Sequence, residues 1–373
     1  MPNKKSVLIF CIQAVISLGF LEIAAYFYLT KANNPLHRVS RIIRPDSDLG
    51  WRAKENLNTD FEGAALFTDR LGFRTPSALD EKAPSLLLKH ADRPGRSIII
   101  LGPSSAFGWG VDYSETYGHK VAEKIKADEY NLSQIGFSSL QGLKLWEQMP
   151  AYQIAPPTWA IISYGINDLD KFRFVGTPGG NDYSFFEKLP RSVEKEFLNL
   201  NFMTVFRLVI NEAKMNYDCS SLKDISQRLG LNNSETLLRS LIKSVKKNGT
   251  KIILVNTPYR APPHNSEYSK VKIEMLYSEV NRLADKTDCK GALDQLKNAK
   301  LLEAWRVAQD VLSFNLMLKK LATEEEVFYV DAWQTLAKQQ DQAGVFVDPV
   351  HPGKLGHLLI SNEIISTAFA KED

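Results

Sequence analysis

From residue 97 onward, short apolar runs alternate with longer stretches of mixed polarity. Ile98–Leu101 ends at Gly102, Tyr130–Gln134 at Ile135-Gly136, and Thr158–Ser163 at Tyr164-Gly165. Lys251–Val255 and Val327–Val330 complete the set. A brief apolar run closed by glycine predicts a strand buried on both faces. The intervening patterns predict helices over Glu115–Asp128, Ser139–Gln153, Leu237–Lys247 and Lys354–Ala370. Pro156-Pro157 closes the second of these and Asn248-Gly249 the third. Such alternation implies an α/β fold with a central parallel sheet covered on both faces. Right-handed crossovers then bring the carboxyl ends of the strands to one edge.

Two stretches interrupt the alternation. Residues 169–233 open with a glycine-rich loop, Gly176 to Asn181, followed by an apolar helical piece from Glu194 to Met215. Residues 258–323 are largely helical, including Tyr277–Leu283 and Leu301–Leu321. Both follow strand ends, so both belong over the same edge. They read either as a cap that shapes a substrate pocket or as segments that thicken the fold or meet another copy.

The front of the chain differs. Val7 to Thr30 is almost continuously apolar, broken by Gln13, Ser17 and Glu22. As a helix it would reach about 36 Å, enough to cross a bilayer core of about 30 Å. Ala24-Ala25 is followed by bulky Tyr26-Phe27-Tyr28, a poor cleavage site for a signal peptide. A single-pass anchor over residues 1–31 is the best fit, with Tyr26 and Tyr28 suited to an interface. Lys4 and Lys5 on one side face Lys31, Arg38, Arg41 and Arg44 on the other, so charge alone does not set the orientation. The expectation adopted is amino terminus inside and bulk outside. Residues 32–96 then form a lead-in without long periodic runs. Asp48-Leu49-Gly50-Trp51-Arg52 and Leu71-Gly72-Phe73-Arg74 read as tight turns followed by an aromatic that packs down. The expectation here is an irregular β-rich segment wrapping the domain edge.

Composition narrows the function. The 373 residues suffice for one large domain or two modest ones, and the 44% hydrophobic and 24% charged content is that of an ordinary globular protein. A net charge of +3, with no long basic run interleaved with aromatics, gives no case for nucleic acid. Cys11 lies in the apolar segment, while Cys219 and Cys289 are either a pair or two free thiols. The six histidines are scattered, which argues against a zinc cluster. No P-loop, dinucleotide fingerprint or solenoid repeat is present, and no cofactor is implied.

Candidate chemistry sits at the strand ends. The first gives Gly102-Pro103-Ser104-Ser105, the second Gly136, and the third Gly165-Ile166-Asn167-Asp168. Before the last helix stands Asp348-Pro349-Val350-His351-Pro352. Each fragment alone is weak: a serine there often caps a helix, and a lone histidine is more often structural. In this order, each at its own strand end, they are specific. The chain resembles the SGNH (GDSL-type) hydrolase superfamily through Ser104, Gly136, Asn167 and His351, with Asp348 three residues before the histidine. The likeness runs from Ser97 to the end. The turns around Gly50-Trp51-Arg52 and Gly72-Phe73-Arg74 also resemble the lead-in of membrane-anchored bacterial members.

The resemblance implies a three-layer α/β/α sandwich of flavodoxin type over residues 97–373. It implies a serine esterase in which Ser104 attacks the acyl carbonyl, His351 moves the proton and Asp348 orients the imidazole. The Ser104 and Gly136 N–H groups and the Asn167 side-chain amide would bind the oxyanion. Asp168 is expected to hold its loop. The implied substrate is an acylated carbohydrate or lipid, and the implied location is a bacterial inner membrane with the catalytic domain outside the cytoplasm. One departure stands out: Pro103 replaces the aspartate of the family's Gly-Asp-Ser. Proline fixes φ, removes an N–H and restricts Gly102. Two other readings keep their place: an acyltransferase with the same triad, and a catalytically silent, membrane-tethered binding subunit.

Overall fold

The computed structural model describes residues 4–31, 38–39, 41–46, 48–78, 96–149, 156–169, 229–247, 249–260, 300–339 and 342–370. In chain order its elements are α1 (Lys4–Lys31), β1 (Ile43–Asp46), β2 (Gly50–Ala53), β3 (Asn58–Phe61), β4 (Ala64–Thr68), β5 (Arg74–Thr75) and β6 (Ser97–Leu101). There follow α2 (Ser104–Phe107), a 3-10 turn at Tyr113–Glu115, α3 (Tyr117–Ile125), β7 (Asp128–Asn131), α4 (Ser139–Gln148), β8 (Trp159–Ile162) and α5 (Ile166–Leu169). The carboxyl-terminal part holds α6 (Leu231–Lys246), β9 (Lys251–Val255), α7 (Lys300–Glu324), β10 (Phe328–Val330), α8 (Ala332–Ala337) and α9 (Lys354–Ala368).

The main sheet has the spatial order β10-β9-β8-β6-β7-β5-β4-β3. Its first five strands are parallel, and β5, β4 and β3 continue it antiparallel. The parallel part is a doubly wound arrangement whose direction of winding reverses at β6, the position where such sheets place their sites. Side chains alternate cleanly across it. Ile99, Leu101, Ala160, Ile162, Ile252 and Leu254 enter one apolar cluster with residues of α4, α6 and α7. Ile98, Ile100, Trp159, Ile161, Ile253 and Val255 enter another with residues of α3, α8 and α9. Both faces of each strand are therefore buried, which is why the sequence reads as unbroken apolar runs. Helix α4 closes tightly on the end of β8: a Cβ at Gly142 would come within 2.3 Å of the Tyr164 ring.

Several expectations are corrected. The second strand lies at Asp128–Asn131, two residues before the expected Tyr130–Gln134, because the polar Asp128 and Glu129 pair with Ser97 and Ile98 at the strand's start. The helix expected from Glu115 starts at Tyr117, after Thr116 caps it by accepting from the His119 N–H. The helix expected over Leu237–Lys247 begins earlier, at Leu231. The lead-in does more than wrap an edge: β3, β4 and β5 extend the central sheet, making it mixed rather than purely parallel. Arg74 of β5 pairs with Asn131 of β7. The lead-in also brings its own apolar cluster, in which Val39, Ile42, Phe61 and Leu66 meet Phe107 and Ile135 of the main body.

The expected anchor forms a continuous 28-residue helix, α1. Among the described residues no helix is long and apolar enough to cross a membrane. The side chains of residues 4–12, 14–15 and 29–31 lie outside the described residues, so membrane insertion rests on the sequence. Most of both expected cap segments, Cys219 and Cys289 also lie outside the described residues. The described ends of the cap segments are α5 and the turn into α6 on one side and α7 on the other.

Candidate active site

The nucleophile turn begins where β6 runs out of ladder. Leu101 accepts from the Ser163 N–H at 2.9 Å and Gly102 from the Gln134 N–H at 3.0 Å. Residue 103 lies beyond both bonds, so the missing N–H of Pro103 breaks no strand pairing. Pro103 precedes α2 with φ −85°, close to what its ring demands, and its carbonyl accepts from the Ala106 and Phe107 N–H groups. The substitution that sets this chain apart from the Gly-Asp-Ser pattern is thus accommodated by the local backbone. Gly102 is tight for another reason: a Cβ there would press on Ala106 Cβ and the Ser163 carbonyl.

Ser104 is the first residue of α2 and is buried, 7% exposed. Its Oγ lies 2.8 Å from His351 Nε2, across 247 residues of sequence. On the other side of the ring, His351 Nδ1 lies 2.7 Å from Asp348 Oδ2. Asp348 Oδ1 accepts from the N–H groups of Val350 and His351, both at 2.9 Å. This turn, made by the carboxylate on its own backbone, is what the three-residue spacing achieves. The Val347 N–H donates to the His351 carbonyl, Phe346 bridges Pro352, and the Arg260 N–H donates to the Pro349 carbonyl. The histidine is therefore carried on a loop tied to itself and to the segment that follows β9.

Burial pushes the Asp348 carboxyl up. The hydrogen bond and charge of His351, with the two backbone N–H groups, outweigh burial and hold it below the ordinary aspartate value. An ionised carboxylate on Nδ1 fixes which nitrogen carries the proton and leaves Nε2 facing the hydroxyl. A hydroxyl, an imidazole and a carboxylate in this sequence can activate an alcohol as a nucleophile.

Gly136 and Asn167 follow β7 and β8, the two strands that flank β6, and so lie at the same carboxyl edge as Ser104. Gly136 has φ +76°, and a Cβ on it would sit 3.2 Å from the Trp51 ring. Asn167 Nδ2 donates to the Phe137 carbonyl at 3.0 Å, which orients the amide. Asp168 is fully buried, and its Oδ1 accepts from the Ser139 N–H at 2.7 Å. It ties the Asn167 loop to the start of α4, a structural role as expected.

Sequence reasoning missed four residues that hold this edge. Trp51 Nε1 donates to the Ile135 carbonyl at 2.8 Å, beside Gly136. Arg74, buried at 3% exposure, donates to the carbonyls of Phe107, Gly108 and Val111 and to that of Ala65. Trp109 stacks on the His351 ring, and Phe61 meets Trp109 edge-on. The paired Gly-aromatic-Arg turns of the lead-in were the available signal. They point to packing alone, because nothing local tells which carbonyls a buried arginine will meet. Among the described residues no group of three or more His, Cys, Asp or Glu side chains could hold a metal ion.

Fold and geometry together bring a serine, a histidine and an aspartate within hydrogen-bond reach at the carboxyl edge of a mostly parallel α/β sheet. The GDSL-like Lipase/Acylhydrolase family model matches residues 100–359, and the chain belongs to that family, whose members hydrolyse ester bonds. No curated protein matches the chain. Among solved structures, the chain is similar to an acetylxylan esterase from Geobacillus stearothermophilus, with 15% identity, a TM-score of 0.40, and coverage of 73% of this chain and 93% of that one. It is also similar to a member of the lipolytic G-D-S-L family from Veillonella parvula, with 15% identity, a TM-score of 0.40, and coverage of 74% of this chain and 99% of that one.

Proposed function

We propose that this ester hydrolase works through Ser104, His351 and Asp348 by way of an acyl-enzyme, and that it deacylates a carbohydrate or lipid at the cell envelope. An acetyl ester is the simplest such substrate. The observation that carries the mechanism is the unbroken path from Asp348 through His351 to Ser104, at 2.7 and 2.8 Å.

Ser104 Oγ attacks the acyl carbon while its proton passes to His351 Nε2. The carbonyl π electrons move onto the oxygen, which the Ser104 and Gly136 N–H groups and the Asn167 amide stabilise. Collapse of this intermediate breaks the bond to the leaving alkoxide, which takes the proton from His351 and departs as an alcohol. Water then repeats the sequence on the acyl-enzyme: His351 takes its proton, the acid is released, and Ser104 recovers its own. Asp348 stays ionised throughout and supports the transient imidazolium. Each oxyanion donor contributes on the order of 3 kcal/mol to lowering the barrier.

The envelope location rests on the apolar span Val7 to Thr30, with the amino terminus inside and residues 32–373 outside the inner membrane. Protease treatment of intact spheroplasts should then digest the domain. An untouched domain would reverse the orientation.

Fluorophosphonate labelling of the full chain tests the mechanism. The wild type should take the label on Ser104, Ser104→Ala should not, and His351→Ala should label far more slowly. A folded wild type that takes no label, or a label that persists in Ser104→Ala, overturns the reading.

A further inference from the structure

The imidazole of His351 is held in its plane at both ends, by Ser104 on Nε2 and Asp348 on Nδ1. Two bonds on roughly opposite corners leave one soft motion, a tilt of the ring about the line joining them. The indole of Trp109 lies on one face of the ring, with centroids 4.6 Å apart and planes only 9° from parallel. A flat surface at that distance blocks the tilt. Trp109 is itself fixed from two directions. Its backbone N–H donates to the Ser104 carbonyl at 3.1 Å, which fixes the main chain, and its ring meets Phe61 of the lead-in hairpin at 4.7 Å and 79°, which fixes the indole. Phe61 lies outside the segment matched by the family model, residues 100–359.

We propose that Trp109, braced by Phe61, is a positioning residue for His351: it fixes the plane of the imidazole and its π face favours the imidazolium formed as Ser104 loses its proton. This rests on the reading of His351 as general base. Against neutral imidazole the stack supplies dispersion. Against imidazolium it adds attraction between a cation and the indole face, strongest for tryptophan and effective within about 6 Å. An interaction that strengthens as the proton moves lowers the barrier rather than the substrate affinity.

Other charged groups reach this neighbourhood. Asp348 is bonded to the ring. His357 interacts with its charge and also with Arg74, Lys120 and Glu115. Glu62 on the hairpin is paired with Arg38, and Lys354 with Glu115. All of them stay in place in the variants below, so a change in pH dependence reports the aromatic face.

The experiment is the pH profile of p-nitrophenyl acetate hydrolysis by the full chain and by Trp109→Phe, Trp109→Leu and Phe61→Leu, with Ser104→Ala as control. Removing the aromatic face disfavours imidazolium, so in Trp109→Leu the acid limb of kcat/KM should move to lower pH by roughly half a unit. Its kcat should fall about tenfold with KM little changed, Trp109→Phe should keep most of the wild-type behaviour, and Phe61→Leu should fall between. An acid limb that stays in place in Trp109→Leu, a loss expressed in KM alone, or equal behaviour of the Leu and Phe variants overturns the proposal. Trp109→Phe and Phe61→Leu keep the test open if Trp109→Leu does not fold. Undiminished activity in Ser104→Ala would instead remove the reading on which the proposal stands.

Discussion

Arg74 Nη1 donates to the Gly108 carbonyl at 2.7 Å, joining a strand of the lead-in to the residue that ends the helix carrying Ser104. The same guanidinium holds the Phe107 and Val111 carbonyls, so one buried cation gathers the whole turn after the nucleophile. Burial lowers its pKa to about 10, which leaves it charged at neutral pH. Replacement by methionine would orphan several buried carbonyls. Hydrogen bonds to a charged donor contribute about 1.5–3 kcal/mol each, and an unpaired buried acceptor costs about 1–3 kcal/mol. Arg74→Met should lose at least about 3 kcal/mol in denaturant unfolding. Arg74→Lys should recover little, since a single ammonium cannot reproduce the planar fork.

Gly136 stands at φ +76° against the Trp51 ring. An alanine there meets both a disfavoured backbone and the indole, at a stability cost of about 1–2 kcal/mol. Alanine keeps the N–H, but a backbone shifted by this strain carries it away from the oxyanion, so Gly136→Ala should lose up to about 100-fold in kcat, the effect of one misplaced donor. Steady-state kinetics beside a thermal melt separates the two effects, since a fold loss alone would leave kcat per folded molecule unchanged.

His357 is fully buried in α9, and its Nδ1 accepts from the Tyr117 N–H at 3.1 Å. Burial, with the charge of Arg74, drives its pKa from 6.5 down to about 3. The unfolded chain therefore binds a proton that the folded protein refuses between those values. Stability from this group is full above pH 6.5 and is lost as pH falls toward 3, at roughly 1.4 kcal/mol per pH unit. His119 has the opposite sign: its bond to Glu129 raises its pKa, so its contribution is full below 6.5 and fades as pH rises through the raised value. Between about pH 6.5 and pH 4.5 the acid loss thus belongs to His357, and at lower pH the depressed carboxyls of Asp348 and Glu115 add to it. His357→Asn, which can still accept from Tyr117, should flatten the decline of unfolding free energy between about pH 6.5 and pH 4.5. An unchanged slope would place the loss elsewhere.

Asp168 Oδ1 takes the Ser139 N–H at 2.7 Å, and its neighbour Asn167 takes hold of the Phe137 carbonyl. Asp168→Ala leaves a buried N–H without an acceptor and should cost about 1–3 kcal/mol. Because it also loosens the Asn167 loop, kcat should fall while the fluorophosphonate label on Ser104 persists. Loss of the label altogether would argue for a direct role in activating Ser104.

The parallel core was legible because its strands are buried on both faces and therefore read as unbroken apolar runs. Ile98–Leu101 and Lys251–Val255 appear where those runs predict them. Asp128–Asn131 was displaced by two residues because its polar start is paired but not apolar. The lead-in was legible as β-rich but not as strands of the central sheet, for a related reason. Its strands have two to five residues each, and β3 is Asn58-Thr59-Asp60-Phe61, with one apolar position. The place of β3, β4 and β5 comes from the edge of β7 that β5 joins, which is a property of the assembled sheet, while β1 and β2 pair only with each other.

The sequence by itself determined the α/β class, the order of the chemical residues along the strand ends, and the short-range turn that sets Asp348 against His351. Those are local matters: a two-face apolar pattern, a glycine after a strand, a carboxylate three residues from an imidazole. Only the tertiary structure decided that Ser104 Oγ meets His351 Nε2 across 247 residues. Only it decided that Pro103 falls beyond the last ladder bond, and that Trp51, Phe61 and Arg74 brace the site from outside the hydrolase core. A buried donor or an aromatic face finds its partner through packing between elements, and spacing along the chain carries no record of which elements will touch.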